Sequence, residues 1–253
     1  MQRSAISKMN YAKISGLFFL CISCINTAIA HTVPLFISLD VTTVFTRPGE
    51  TQQVNLFNQL GNTYVPNKDW QNKSTVLFGV GATTYTKNNV IFNTGVRYLS
   101  ISNIFLQGNV WQLNSPDFNN LSYRYRVKSD LVLVENAISY AKSLIQPSLI
   151  LGLGYAANTT SQYQTSALYN HSATALQVFT GKCVSQLAYE IGGGLDFLSL
   201  KPAVIELAYR FMAAGKGALG YSPLQNTSDN LSTGNLYYHT VSLGIRLYYD
   251  HTY

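Results

Sequence analysis

The chain of 253 residues has 47% hydrophobic, 13% aromatic and only 11% charged residues, where an average soluble domain carries about 25% charged. That shortage excludes a highly charged disordered protein, a coiled coil and an ordinary cytosolic enzyme surface. The formal charge of +6 is half accounted for by Arg3, Lys8 and Lys13 at the extreme N-terminus, so no concentrated basic patch of the kind nucleic acid requires is left and no nucleic-acid partner is expected.

Residues 1–30 read as a cleavable export signal. Arg3, Lys8 and Lys13 form a basic start, Gly16 to Ile25 an apolar centre, and Ala28-Ile29-Ala30 a small-residue cleavage site. The apolar stretch is shorter than the roughly 20 residues a spanning helix needs. The competing reading, Cys24 as a lipid-modified N-terminus, fits poorly with the preceding Leu20-Cys21-Ile22-Ser23. Cys21 and Cys24 leave with the signal, so Cys183 stays alone and no disulfide is expected. Residues 31–253 are then one domain.

Along that domain the dominant signal is period-2 alternation, and the coarse reading is all-β. Over 35–45, Leu35, Ile37, Leu39, Val41 and Phe45 share one face, with Ser38, Asp40 and Thr42 on the other. A second strand over 75–86 sets Val76, Phe78, Val80 and Ala82 against Gly79, Gly81 and Thr83. After the turn Lys87-Asn88-Asn89, the strand 90–99 sets Val90, Phe92, Val96 and Tyr98 against Asn93, Gly95 and Arg97, with a less regular extension over 101–113. A long strand covers 121–141. The strand 147–156 places Leu149, Leu151, Leu153 and Tyr155 away from Ser148, Gly152 and Gly154. Over 186–198, Leu187, Tyr189, Ile191, Leu195 and Phe197 oppose Glu190, Gly192, Gly194 and Asp196. The strand 203–213 sets Ile205, Leu207, Tyr209 and Phe211 against Glu206 and Arg210. The last, 239–253, sets Val241, Leu243, Ile245, Leu247, Tyr249 and Tyr253 against Arg246 and Asp250.

Between these eight strands, long polar segments at 46–73, 114–120, 157–182 and 214–238 alternate with short ones at 87–89, 142–146 and 199–202. Outer-membrane barrels have this asymmetry of short periplasmic turns and long outer loops. A soluble sandwich or lipocalin-like barrel would expose its polar face to water and carry many Lys and Glu there. Here the polar face is mainly Gly, Ser, Thr and Asn with a few charges, which suits the side-chain-filled interior of a narrow membrane barrel. The expected fold is an eight-stranded antiparallel up-and-down transmembrane β-barrel with both ends in the periplasm.

Three segments carry a family resemblance: QPSLILGLGYAANT at 146–159, LAYEIGGGLDF at 187–197 and AYRFMAAGKGALGYSPLQNTSDNLS at 208–232. On these the chain resembles the small eight-stranded outer-membrane β-barrels of Gram-negative bacteria, the OmpA-like transmembrane-domain group, and more narrowly a set found in Legionella and Coxiella relatives. The resemblance implies location in the cell outer membrane, with outer-membrane lipid, lipopolysaccharide and the barrel assembly machinery as partners. The closing strand also resembles the C-terminal assembly signal of such barrels, carried here by Ile245, Leu247, Tyr249 and terminal Tyr253. No peptidoglycan-binding domain is expected after it.

Asp40, Arg97, Glu135, Glu190, Asp196, Glu206, Arg210, Arg246 and Asp250 fall on the lumen face. They are expected to form an ion-pair network that closes the narrow interior, since unpaired charges there are costly. The alternative reading of these charges is an ion pathway lined by them, and a separate alternative for the chain is a small-solute channel resembling the OmpW group, with an apolar or polar path through the barrel that such charge pairs would block. Arg124, Arg126 and Lys128 share a face of the strand 121–141. If that strand keeps one register they project above the bilayer, where they can contact lipopolysaccharide phosphates, and a bulge near 130 would turn them inward. No enzyme, metal or cofactor is expected. Gly215-Lys216-Gly217-Ala218-Leu219-Gly220 matches G-x-G-x-x-G literally but does not open a helix in a βαβ unit. His31, His171, His239 and His251 lack metal-site spacing. His171-Ser172 and His239-Thr240, considered for a barrel lipid A-modifying enzyme, point to opposite faces of a strand. The expected role is structural and surface-displaying, with outer loops that meet a host or environmental ligand.

Overall fold

The computed structural model describes residues 33–55, 61–168, 179–200, 202–221 and 229–249. The signal segment, His31, His171, His251, Asp250 and Tyr253 lie outside the described residues. The alternating segments form strands β1 (Leu35–Thr46), β2 (Gln52–Asn55), β3 (Gly61–Pro66), β4 (Gln71–Lys87), β5 (Val90–Trp111), β6 (Asn119–Tyr140), β7 (Ile145–Ala167), β8 (Lys182–Leu200), β9 (Ala203–Ala218) and β10 (Ser232–Tyr249).

Eight of them close a ring in the order β1, β4, β5, β6, β7, β8, β9, β10, each antiparallel to its neighbours, and β10 returns to β1. The short β2–β3 hairpin is not in the ring and adds to the outer end of β5 through Thr63–Trp111 and Tyr64–Val110 pairing. From Leu35, the cross-strand partners run Ala82, Thr94, Asn136, Leu151, Ile191, Phe211, His239 and back to Phe45, ten residues along β1 (45 − 35). With about 3.3 Å per residue and about 4.8 Å between strands, that shear tilts the strands by roughly 41° and gives a rise of about 2.5 Å per residue along the axis.

The strands are longer than the alternation of apolar residues alone suggests. β5 and β6 have 22 residues each and β7 has 23, against the 9–11 or so that cross a bilayer. Much of what reads as polar loop is therefore strand. The segment 157–182 begins with eleven residues of β7, 214–238 loses both its ends to β9 and β10, 46–73 contains the β2–β3 hairpin, and 114–120 is not a long loop but a pair of 3-10 turns, Gln112–Asn114 and Pro116–Phe118, running into β6. The reason is that these extensions leave the membrane. Their outward positions turn polar while pairing continues, so the apolar outward signal that marks the lower strands is lost.

The irregularity of 101–113 also has a local cause. A bulge between Ile101 and Ile104, with Asn103 at φ 60°, shifts the parity so that Ile104, Leu106 and Val110 point inward after Arg97, Leu99 and Ile101.

Candidate functional site

The inward positions of the lower barrel carry the charged side chains. Asp40, Arg97, Glu135, Glu190, Asp196, Glu206, Arg210 and Arg246 are all buried. Arg97 bridges three strands, reaching Asp40 at 2.7 Å, Glu135 at 2.8 Å and Glu206 at 3.5 Å. Arg210 joins Glu206 at 2.5 Å and Glu135 at 3.3 Å and donates to Ser242 Oγ at 2.7 Å. Arg246 pairs with Asp196 at 3.3 Å and with Glu206. Glu206 therefore accepts from all three guanidiniums and is the hub of the layer.

Glu190 stands apart. It is 3% exposed, lies beside Glu135, and neither carboxylate oxygen has a hydrogen-bond partner among the described residues. Its position is made by a glycine on the neighbouring strand: a Cβ at Gly152 would sit 2.5 Å from Glu190 Oε1.

Above this layer the interior changes character, and here the expectation of a narrow polar lumen needs correction. Leu77, Leu99, Leu131, Leu133, Met212, Ala188 and Ala156 form the start of an apolar core that continues through Ile101, Ile104, Leu106, Val127 and Leu121 into the outer end of the barrel. The far end is aromatic. Tyr64, Tyr123, Tyr163 and Phe179 pack edge to face, with ring centroids 5.2 Å apart for Tyr64–Tyr123 and 5.0 Å for Tyr163–Phe179. The packed rings form a plug, and burial there pushes the Tyr64 phenol up to about 12 and raises Tyr123 and Tyr163 further. The signal was present in β6, where Leu121, Tyr123, Tyr125 and Val127 alternate with Arg124, Arg126 and Lys128. It is the reverse of the lower strand, with apolar residues now inside.

The exterior changes character too, a few residues further up. Leu35 to Phe45, Val76 to Val80, Val132, Leu149 to Tyr155, Leu187 to Leu195 and Tyr237 to Tyr249 present exposed apolar and aromatic side chains on outward positions. By the tilt above they span a belt of about 25 Å, the height of a bilayer's apolar band on such barrels. A water-soluble barrel has the opposite arrangement. The chain is a small β-barrel of the outer-membrane type.

No protein-family model matches the chain, and no curated protein matches it significantly. Among solved structures it is similar to the outer membrane protein OprG from Pseudomonas aeruginosa (14% identity, 87% of this chain and 98% of that chain, TM-score 0.49). Others are the outer membrane protease OmpT from Escherichia coli (9%, 86% and 96%, 0.46) and Neisserial surface protein A (9%, 84% and 96%, 0.43). At these identities and TM-scores the barrel assignment rests on the chain's own strand pairing.

On β6 the in-out alternation is unbroken from Leu121 to Ser139, so no bulge near 130 turns Arg124, Arg126 and Lys128 inward. All three face outward, at about 15, 10 and 5 Å above the belt respectively by the same rise per residue. Lys128 is paired with Asp130 at 2.8 Å, and the Arg124 guanidinium lies over the Phe105 ring at 4.0 Å. Ile245, Leu247 and Tyr249 face outward on β10.

Other sequence features separate. Gly215-Lys216-Gly217-Ala218 ends β9, and Gly215, at φ 69°, sits where β9 gains one residue relative to β10. The literal motif is a bulged strand. His239 faces outward and shares a hydrogen bond of 2.7 Å with the Tyr209 hydroxyl, whereas buried Thr240 donates to the Arg210 carbonyl on the inside. Among the described residues no three His, Cys, Asp or Glu side chains are arranged to hold a metal ion.

Proposed function

We propose that the chain is exported through the leader at 1–30, recognised for assembly through Ile245, Leu247, Tyr249 and Tyr253, and inserted into the outer membrane as a non-catalytic, non-conducting scaffold. It holds a rigid wall well above the bilayer and displays the outer connections, rich in Asn, Ser, Thr and Tyr, to a host or environmental ligand. Arg124, Arg126 and Lys128 contact phosphates of the outer-leaflet glycolipid, where guanidinium forks and an ammonium suit anionic oxygens.

The observation that carries this reading is the double seal: a cross-strand layer of ion pairs around Glu206 and, above it, an apolar and aromatic plug. A water-filled pathway needs continuous polar lining, and the plug interrupts it. The test is conductance of the refolded protein in a planar bilayer, with heat-modifiable gel mobility reporting the folded barrel. No conductance steps are expected. Discrete steps that change on Arg97→Ala or Glu206→Gln overturn the sealed scaffold in favour of a small-solute channel.

A further inference from the structure

On the outer wall above the belt, a cleft of about 600 Å³ lies across the extended parts of β5, β6 and β7, within the roughly 300–1,000 Å³ of small-molecule sites. Its floor is built from two cross-strand rows. One is Gln107–Arg124–Gln164 and the next, further from the membrane, is Asn109–Ser122–Ser166. Asn67 closes one side and is tied to β5 by its N–H donating to the Gln107 carbonyl at 2.8 Å. The described lining contains one cation, Arg124, and no carboxylate. Neither Arg124 nor Arg126 has an ion-pair partner among the described residues, and the Phe105 ring beneath Arg124 holds its guanidinium against the wall.

Two side-chain amides flanking a guanidinium, with two hydroxyls in the next row, form a hydrogen-bonding surface for an acidic sugar. Amides both donate and accept, which suits vicinal hydroxyls, and the guanidinium takes a carboxylate or phosphate oxygen pair. The height chooses the source. This is the same outward face of β6 that carries Val132 and Ile138 in the belt, and the Arg124 row lies about 15 Å above the belt by the rise per residue. Lipid phosphates sit at the belt's edge, near Lys128, and the sugars attached to them stand beside the wall at the level of the cleft.

We propose that this cleft binds the acidic core saccharide of a glycolipid whose acyl chains lie against β6 below it. The inference rests on the phosphate reading of Arg124, Arg126 and Lys128 and extends it to the sugars. The test uses detergent-folded protein titrated with three probes: bis-phosphorylated lipid A without core sugars, the same lipid carrying acidic inner-core sugars, and the free core oligosaccharide. Wild type is expected to bind the core-bearing glycolipid on the order of tenfold more tightly than lipid A, from one or two added charge-assisted or amide hydrogen bonds. Gln107→Ala/Gln164→Ala is expected to abolish that ratio without changing lipid A binding. The substitutions are on the exposed wall, so heat-modifiable mobility is expected to be retained.

A wild-type protein without the preference, or a double variant that keeps it, overturns the cleft. Arg126→Ala/Lys128→Ala is expected to weaken both lipids alike and keep the ratio. If it leaves lipid A binding unchanged while the ratio persists, the phosphate reading fails and the cleft stands. Free oligosaccharide binding as tightly as the anchored glycolipid overturns the membrane source in favour of a soluble acidic glycan.

Discussion

At the scale of single residues, the lumen layer separates charges that hold the barrel together from one that does not. Arg210 is fully buried and joins Glu135 to Glu206, so Arg210→Ala removes one of the two guanidiniums these carboxylates share, leaving only Arg97 between them, and is expected to cost about 3–5 kcal/mol. Glu190 has no ion-pair partner among the described residues, and Glu190→Gln, which replaces a buried carboxyl at nearly constant shape, is expected to be neutral or stabilising. Urea unfolding in lipid vesicles measures both, and a larger loss for Glu190→Gln than for Arg210→Ala contradicts the assignment. The two inward and outward glycines of adjacent strands differ in the same way. A Cβ at Gly152 collides with the Glu190 carboxylate, whereas one at Gly193 meets only the Ser148 carbonyl at 3.4 Å. Gly152→Ala is expected to destabilise by about 1–3 kcal/mol and Gly193→Ala by clearly less, read from the same unfolding curves.

Single elements explain how a wall this tall stays closed. Direct β4–β5 pairing ends at Leu77–Leu99, although β4 continues beside β1 to Gln71 and β5 continues to Trp111. The seam above is bridged by side chains. Thr75 Oγ donates to the Ser100 carbonyl at 2.7 Å, and the Gln71 amide takes the place of a strand, donating to the Phe105 carbonyl at 2.5 Å and accepting its N–H at 3.0 Å. Gln52 makes the same double bond to Ser232, at 2.5 and 2.9 Å. Gln71→Ala is expected to raise amide exchange at Phe105 on the order of tenfold, with β5 amides below Leu99 unchanged. Unaltered exchange at Phe105 means that the seam is held by the packing of Leu99, Ile101 and Ile104 alone.

For the whole molecule, the decisive quantity is where the belt ends. Val132 lies inside it, and Arg126 stands about 10 Å above it. A nitroxide attached at Val132→Cys is expected to be relaxed by lipid-soluble oxygen, and one at Arg126→Cys by a water-soluble nickel chelate. The reverse order places the membrane elsewhere on the barrel. Near this boundary interior and exterior exchange character: the lower barrel is apolar outside and charged inside, while the outer wall is polar outside and encloses an apolar and aromatic core together with buried Ser129, Asn158, Thr160 and Thr233.

Most of the ring could be read from residues whose environment depends on local parity alone. Leu35 to Phe45, Leu149 to Tyr155 and Val241 to Tyr249 alternate because each strand has one face in lipid, and the charges Asp40, Arg97, Glu206 and Arg210 fall on the other face by the same count. Local parity also placed Arg124, Arg126 and Lys128 together. It did not say how far each strand runs, because pairing continues above the membrane where outward residues become as polar as a loop, and it saw the upper part of β5 only as a less regular extension because the Asn103 bulge changes phase there. Nor could it find the plug, the Gln71 and Gln52 latches or the cleft: Tyr64, Tyr123, Tyr163 and Phe179 come from separate parts of the chain, and Gln107, Arg124 and Gln164 from three strands. The cleft residues meet through the register of β5, β6 and β7, and the plug and latches only once the strands assemble into the ring, since cross-strand neighbours are set by register and not by sequence spacing.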